Sequence, residues 1–364
     1  MTQWMHCILL LFTALVASQN TTVPPCEHCE DEAHGFASLN GGTTGGKGGP
    51  IVFANTWAEL VSYSAQEGPI IIRVNGMLQA DERGYEIPIA SNKTIIGVGK
   101  ESGVMGGGFA VKGTRNIILR NMQVSDTAIA EDWPGKTEDW DGIQVDTGSN
   151  IWIDHMTVRL RSTTPNLYFQ QHCITTPHVL VQKENTLSFQ LTHTPQFARM
   201  NDGLIDLRRD TTYTTVSSTI LSMHNKAFGI GWTTNVTALV TINDCFFNST
   251  NQRNPSADNL AMCHMYNNYF RNCTSYGTYA RGNTSLLLEN SYYEDVFDPV
   301  VAGPNASVKA SWVKFKDSEG EKVLGVREEE VFDAREYYSY DLRDPWDLPN
   351  DIPYFAGPQE DIGS

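Results

Sequence analysis

Short runs of β-forming residues recur along the chain at a constant interval. Three intervals are each 23 residues long: Ile96 to Leu119, Ile242 to Met265, and Met265 to Leu288. A repeat of about 20 to 50 residues indicates a solenoid, and a repeat made of strands and turns indicates a parallel β-helix. Asparagines close several of the runs and suit the turns between strands. We therefore predict an all-β fold, a parallel β-helix.

Four aspartates form two pairs within these runs. Asp139 and Asp141 lie in EDWDGIQVD, and Asp202 and Asp206 lie in RMNDGLIDLRR. Residues two or four apart in a strand project from the same side of a sheet, so all four carboxylates could line one surface. Clustered like charges are destabilising unless a cation neutralises them, and Ca²⁺ prefers oxygen ligands. The alternative is four solvated acids among the chain's 42.

The segments around these aspartates resemble polysaccharide lyase family 1, the pectate lyases. The resemblance runs in order from about Gly35 to Pro299 and rests on DWDGIQVD (139–146), NIWIDH (150–155), DGLID (202–206), HNK (224–226), RNP (253–255) and HMYNNYF (264–270). It implies an all-β, single-stranded right-handed parallel β-helix (a pectin-lyase-like solenoid) and a carbon–oxygen lyase acting on polysaccharides.

The resemblance also implies roles for particular residues. It makes Asp139, Asp141, Asp202 and Asp206 the ligands of Ca²⁺, Lys226 a substrate-binding cation, and Arg253 both a substrate contact and the catalytic Brønsted base. A guanidinium is a poor base near neutral pH, so this role implies an alkaline optimum.

Some positions depart from the family pattern. The motif R-x-P-x-x-R would place a second arginine at position 258, where this chain has Asp258. Asp202 stands where many relatives carry glutamate, and Trp232 also differs from the common residue. Pectin lyases also lack the second arginine, but they typically lose the metal-binding acids as well, which this chain keeps.

These observations predict a secreted Ca²⁺-dependent pectate lyase. It would cleave de-esterified polygalacturonate by β-elimination and contribute to degradation of plant cell-wall pectin. One alternative is a pectin-lyase-like enzyme acting on methylated or variant uronan. Another is a non-catalytic β-helix that binds polysaccharide, which the acid at position 258 would favour.

Charge and hydropathy limit the classes of molecule that the protein can bind. The formal net charge of −16 argues against nucleic acid, because phosphate binding requires a basic face. Residues 8–17 form an apolar run too short to span a bilayer and typical of a secretory signal. We expect a secreted monomer that acts on an acidic polysaccharide and has no membrane partner.

Cysteine and glycosylation patterns agree with secretion. Removal of the signal leaves six cysteines, an even number that predicts oxidised pairs. The CEHC sequence at 26–29 could alternatively bind zinc, although no second CxxC accompanies it. Seven N-x-S/T sequons predict a glycoprotein.

The predicted organisation has four parts. Residues 1–18 are the signal peptide, 19–36 an N-terminal extension, 37–335 the β-helix domain, and 336–364 an acidic C-terminal segment that we expect to be solvated. The glycine-rich stretch 40–49 is interpreted as a flexible entry segment. Residues 160–198 are an atypical insertion, either a loop beside the cleft or translated intron sequence.

Overall fold

A computed structural model describes residues 26–127, 139–159 and 203–364. Within these ranges, parallel strands form three sheets, called A, B and C here, and the chain passes through them in that order in successive coils. The predicted parallel β-helix is confirmed. The signal peptide (1–18) and the insertion (160–198) lie outside the described residues.

Sheet A carries the start of each coil. Its strands are, in spatial order, β1 (Ile51–Ala54), β2 (Ile70–Val74), β5 (Lys93–Gly97), β8 (Arg115–Arg120), β11 (Ser149–Asp154), β14 (Thr212–Ser217), β17 (Ala238–Asn243), β20 (Leu260–Tyr266), β23 (Ser285–Glu289), β26 (Ser307–Ser311) and β28 (Gly325–Val326). Among the described strands of this sheet, β28 alone runs antiparallel to its neighbour.

Sheet B follows the first corner of each coil. It contains β3 (Met77–Gln79), β6 (Gly103–Met105), β9 (Gln123–Ser125), β12 (Thr157–Arg159), β15 (Ile220–Lys226), β18 (Phe246–Gln252), β21 (Tyr269–Cys273), β24 (Tyr292–Val296) and β27 (Lys314–Lys316).

Sheet C completes each coil. It contains β4 (Glu86–Pro88), β7 (Gly108–Lys112), β10 (Ile143–Asp146), β13 (Ile205–Arg208), β16 (Phe228–Gly231), β19 (Ser256–Asp258), β22 (Thr278–Arg281) and β25 (Val300–Ala302).

The corner between sheets A and B explains the asparagines seen in the sequence. From β8 onward it takes two residues, of which the first adopts a left-handed conformation, as in Asp244 (φ 53°) and Asn267 (φ 57°). Asn and Asp tolerate this region better than most residues. The second residue bonds to the next coil: the Cys245 amide donates to Asn268 Oδ1 at 3.0 Å, and the Asn268 amide donates to Ser291 Oγ at 3.3 Å. The corners therefore stack in register.

The core lies inside the coils and is filled by matching side chains from successive repeats. In sheet B the rings of Phe247, Phe270 and Tyr293 stack with centroids 4.7 and 4.2 Å apart. All three are fully buried. The repeat thus aligns like residues, and each ring continues the stack begun by the coil before it.

Helix α1 (Trp57–Ala65) packs against β1, β2 and β4 and covers the first coils. Its N-terminus has a capping box in which the Thr56 side chain accepts from the Glu59 amide and Glu59 accepts from the Thr56 amide. This arrangement satisfies amide groups that the helix cannot pair internally. No helix among the described residues is long and apolar enough to cross a membrane.

The C-terminal segment is packed rather than solvated, which corrects our expectation. Helix α2 (Leu348–Phe355) buries Leu348 and Ile352 completely against the outer face of sheet B, beside Phe246 and Tyr269. Short 3₁₀ turns precede it at Glu328–Glu330 and Ala334–Glu336. The apolar residues placed between the acids outweigh the charge and hold the segment on the solenoid.

The glycine-rich stretch is also held in place. It precedes β1 and follows a 3₁₀ turn at Gly35–Ser38. A Cβ added to Gly46 would lie 2.0 Å from the Ile70 carbonyl oxygen, and one added to Gly49 would lie 2.0 Å from that of Pro69. The glycines are therefore required for close packing against the first coil, and the interpretation as a flexible entry segment is wrong.

Cysteine pairing differs from the prediction. Cys26 and Cys29 form a disulfide, so neither is available to zinc. Cys245, Cys263 and Cys273 are buried free thiols. Burial raises the pKa of the Cys263 and Cys273 thiols to about 12. These three side chains point into the core, where they act as small apolar residues.

A buried ion pair connects the N-terminal segment to sheet A. Asp154 Oδ2 accepts from Arg120 Nε at 2.8 Å and lies 2.7 Å from His155 Nδ1, while Ser217 donates to Oδ1 at 2.7 Å. Arg120 also contacts Asp31 at 2.8 Å. Burial alone would raise the pKa of Asp154, but the contacts to His155, Arg120 and Ser217 together lower it to about 2.

We expect Asp154→Asn to destabilise the protein at neutral pH by about 3 kcal/mol, because Arg120 then lacks its buried partner. The lowered pKa of Asp154 adds about 2 to 3 kcal/mol to the free energy of unfolding. This contribution is complete above the pKa of about 3.9 that the group has in the unfolded chain, and it is lost as the pH falls toward 2. Denaturation at several pH values measures both terms. The exposed Asp295→Asn is the control, and an unchanged acid dependence in Asp154→Asn would contradict the assignment.

Candidate active site

The predicted site residues that the structure describes lie around one corner of the solenoid, where each coil passes from sheet B to sheet C. Main-chain hydrogen bonds stack these corners, which come from distant parts of the sequence. They join the Gly142 amide to the Gly203 carbonyl at 3.2 Å, Leu204 to Lys226 at 3.2 Å, Ala227 to Gln252 at 3.0 Å and Phe228 to Arg253 at 2.6 Å. The segments containing Asp141, Gly203, Lys226 and Arg253 thus lie in four successive coils.

Asp141 and Asp206 are fully buried carboxylates at this corner. Asp206 lies in β13, where the flanking Ile205 and Leu207 point into the core and Asp206 points the other way. The Gly229 amide donates to Asp206 Oδ1 at 3.2 Å, and Gln144 Nε2 donates to Asp141 Oδ2 at 3.2 Å.

The two carboxylates face the same small space beside Gly203. A Cβ placed on Gly203 would lie 2.8 Å from Asp206 Oδ1 and 3.1 Å from Asp141 Oδ1. Any larger residue would fill this space. Carboxylate oxygens such as these two are the type of ligand that a hard cation prefers.

Asp139 has a different partner, Arg208. Both guanidinium Nη atoms of Arg208 bond to the two carboxylate oxygens of Asp139, and its Nε lies 3.7 Å from Asp206 Oδ2. Burial works against the charge of Arg208, but its hydrogen bonds to Asp139 and the nearby Asp141 and Asp206 raise its pKa. Arg208 thus supplies positive charge to three of the predicted ligands.

Sequence reasoning missed Arg208 as a site residue. Strand alternation could have found it, because Arg208 follows Asp206 by two positions in β13 and so projects from the same face. Glu86 was also missed: it accepts from the Asp141 amide at 3.2 Å, and burial raises its pKa. Only the coiling of the chain brings Glu86 near Asp141, so no local sequence pattern indicates it.

Lys226 and Arg253 end equivalent strands of sheet B. Lys226 is the last residue of β15, and Arg253 follows β18 directly. Nδ1 of His224 lies 2.6 Å from the Lys226 carbonyl oxygen, which fixes the main chain there. Arg253 has a left-handed conformation (φ 61°), and its Nη1 lies 3.8 Å from Asp206 Oδ2.

The remaining positions fall beside this corner or outside the described residues. Asp202 lies outside them. Asp258 is directly opposite Arg281 in the pairing of β19 with β22. The positively charged Arg281 therefore lies one coil beyond Asp258, the acid that stands where the family motif has its second arginine.

The fit of a metal ion rests on Asp141 and Asp206. Among the described residues, no group of three or more His, Cys, Asp or Glu side chains is arranged to hold a metal. The two oxygens beside Gly203 are of the type that Ca²⁺ binds, but the ion takes about six to eight oxygen ligands, so others would have to complete its coordination.

Comparison with known proteins decides the family. A family model described as pectate lyase matches residues 7–167 and 176–316. The chain belongs to the pectate lyase family. Both matched ranges include parts of the corner described above, so the pectate lyase match covers the candidate site.

Individual relatives of this pectate lyase family member are distant. A pectate trisaccharide-lyase of Thermotoga maritima is 29% identical over 275 residues, which cover 72% of this chain but only 62% of that protein. Pectate lyase A of Emericella nidulans is 25% identical and covers 90% of this chain and 87% of its own.

A solved structure shares the fold. It is a pectate lyase from Bacillus sp. N165 in complex with trigalacturonate, with a TM-score of 0.67, 23% identity, and coverage of 90% of this chain and 98% of that one.

Proposed function

We propose that this protein is a Ca²⁺-dependent pectate lyase that cleaves de-esterified polygalacturonate by β-elimination. The observation that carries the proposal is the stacking of the segments of Asp141, Asp206, Lys226 and Arg253 at one corner. The named relatives, a pectate trisaccharide-lyase and a pectate lyase, support the same reaction class.

The reaction requires removal of the C5 proton of a galacturonate unit and departure of the C4 oxygen. The C5 proton lies next to a carboxylate, whose negative charge opposes carbanion formation. A Ca²⁺ ion held by Asp141, Asp206, Asp139 and Asp202 would neutralise that carboxylate and stabilise the developing charge. Asp139 would have to leave Arg208 to take part, whereas Asp141 and Asp206 already face the space beside Gly203.

Two cationic side chains would act directly on the polymer. Lys226 would bind a uronate carboxylate as a point charge. Arg253 would remove the C5 proton as the Brønsted base that the family resemblance implies. The Arg253 side chain is 21% exposed, so it is held by the fold and still reachable by substrate.

We further propose that the protein is secreted, acts as a monomer and degrades the pectin of plant cell walls. The apolar run at residues 8–17 and the disulfide between Cys26 and Cys29 support export, since disulfides persist in oxidising compartments. The acidic polymer is favoured over methylated pectin because the aspartates that would bind Ca²⁺ are kept.

The proposal is tested by chelation. We expect activity on polygalacturonate, followed by ultraviolet absorbance of the unsaturated product, to fall to background in excess chelator and to return with added Ca²⁺. The substrate carboxylate would otherwise lack a neutralising partner.

Undiminished turnover in chelator would contradict the metal assignment, and methylated pectin would then be tested as substrate. Binding to polygalacturonate without product under every condition would favour the non-catalytic alternative.

A further inference from the structure

Trp232 is an unusual residue at the edge of the candidate active site. It follows β16, its side chain is 47% exposed, and its main chain is left-handed (φ 58°). Many other non-glycine residues with such a conformation in this protein are Asn or Asp. A bulky aromatic residue is disfavoured there, and residues held in disfavoured conformations concentrate at functional sites.

A glycine in β16 provides the space for the Trp232 ring. A Cβ added to Gly229 would lie 2.3 Å from Cη2 of Trp232 and 2.7 Å from Oδ1 of Asp206. The indole therefore lies directly over the Gly229 main chain, next to the Asp206 carboxylate. A side chain at position 229 would displace one or both.

Two guanidinium groups lie over the same indole. Cζ of Arg253 is 5.2 Å and Cζ of Arg208 is 5.4 Å from the ring centroid. Both arginines also approach Asp206 Oδ2, at 3.8 Å from Arg253 Nη1 and 3.7 Å from Arg208 Nε. Two like charges this close repel, and the negative face of the indole together with the carboxylate offsets the repulsion.

We propose that Trp232 is a positioning residue for Arg253. The ring holds the Arg253 guanidinium beside Asp206, where the proposed reaction places the base, and it keeps Arg208 close without displacing Arg253. The inference rests on the proposed role of Arg253. It does not require the indole to contact the substrate.

The test compares aromatic and aliphatic replacements. We expect Trp232→Leu to lower kcat on polygalacturonate about tenfold, because leucine fills space but offers no cation–π contact. KM should change by less than about twofold, since Lys226 and the metal ligands remain. Trp232→Phe should recover most of kcat, because its ring still attracts a guanidinium.

Trp312→Leu is the matched control. Trp312 is also exposed (67%), also left-handed (φ 53°), and has Lys314 Nζ 5.5 Å from its ring centroid, but it lies at the C-terminal end of the solenoid. Thermal unfolding of every variant checks the fold. An unchanged kcat in Trp232→Leu, or a loss that Trp232→Phe does not recover, would overturn the inference.

Three further outcomes distinguish the possible failures. A raised KM with unchanged kcat would mean that the indole binds the sugar instead of positioning Arg253, which also overturns the inference. If Arg253→Lys retained full turnover, the proposed base itself would be wrong. If Arg253→Lys lost turnover and Trp232→Leu did not, only the positioning role would fail.

Discussion

Arg253→Lys is expected to lower kcat on polygalacturonate by about 10² to 10⁴, the range typical of losing a positioned general base. Lysine keeps the positive charge, but its side chain is shorter than that of arginine and it lacks the planar guanidinium group. It could neither sit beside Asp206 Oδ2 as Arg253 does at 3.8 Å nor remove the proton from the same position. Binding of polygalacturonate should be retained. Initial rates and equilibrium binding, measured on the same preparations, separate these two effects.

Arg271→Lys is the control for this substitution. Arg271 also lies over an aromatic ring, with Cζ 5.2 Å from the centroid of Phe246, but it is exposed on β21. We expect it to leave kcat unchanged. Near wild-type turnover in Arg253→Lys would require another base, and Arg208 would be examined next because it lies beside the same Asp206 oxygen.

The fold was predictable because its repeat is local. A 23-residue interval between β-rich runs fixes the stacking of coils, and asparagines at the ends of runs indicate the corners. Asn267 shows why: its left-handed conformation is tolerated by an asparagine and allows the chain to turn into sheet B. These preferences act within a few residues, so they can be read from sequence.

Packing of the ends was not predictable in the same way. The tail from Glu328 to Asp361 is strongly acidic, which suggested solvation, but Leu348 and Ile352 are completely buried. Composition averages over the tail, whereas docking depends on a few apolar side chains at helical spacing. Likewise, an even number of cysteines does not tell which way each side chain points. Cys263 and Cys273 point into the core and remain free thiols.

The residues of the candidate site were easier to predict than the contacts between them. The resemblance named Asp141, Asp206 and Arg253, and the coils bring their segments together. The pairing of Asp139 with Arg208 could not be foreseen, because the two residues are 69 positions apart. Such contacts depend on register between coils, which a single sequence does not specify.

Asp206→Asn is expected to abolish the stabilisation that the proposed Ca²⁺ ion would give to the folded protein. In the wild-type protein, Ca²⁺ at about 100 times its Kd should add about 2.7 kcal/mol to the free energy of unfolding. Asp206 is fully buried and its Oδ1 borders the space beside Gly203, so an amide there removes one charge and one oxygen donor from the site. The change in Tm between chelator and Ca²⁺, measured by calorimetry, reports this without any substrate.

Asp210→Asn provides the control, because Asp210 is an exposed acid four positions further along that accepts hydrogen bonds from Thr233 and Asn235. It should retain the full Ca²⁺-dependent shift. In chelator, the free energy of unfolding of Asp206→Asn should be at most about 1 kcal/mol below that of the wild type. The substitution also removes the repulsion between two buried carboxylates, and it leaves Arg208 paired with Asp139. An undiminished Ca²⁺ shift in Asp206→Asn would place the ion away from the Gly203 corner.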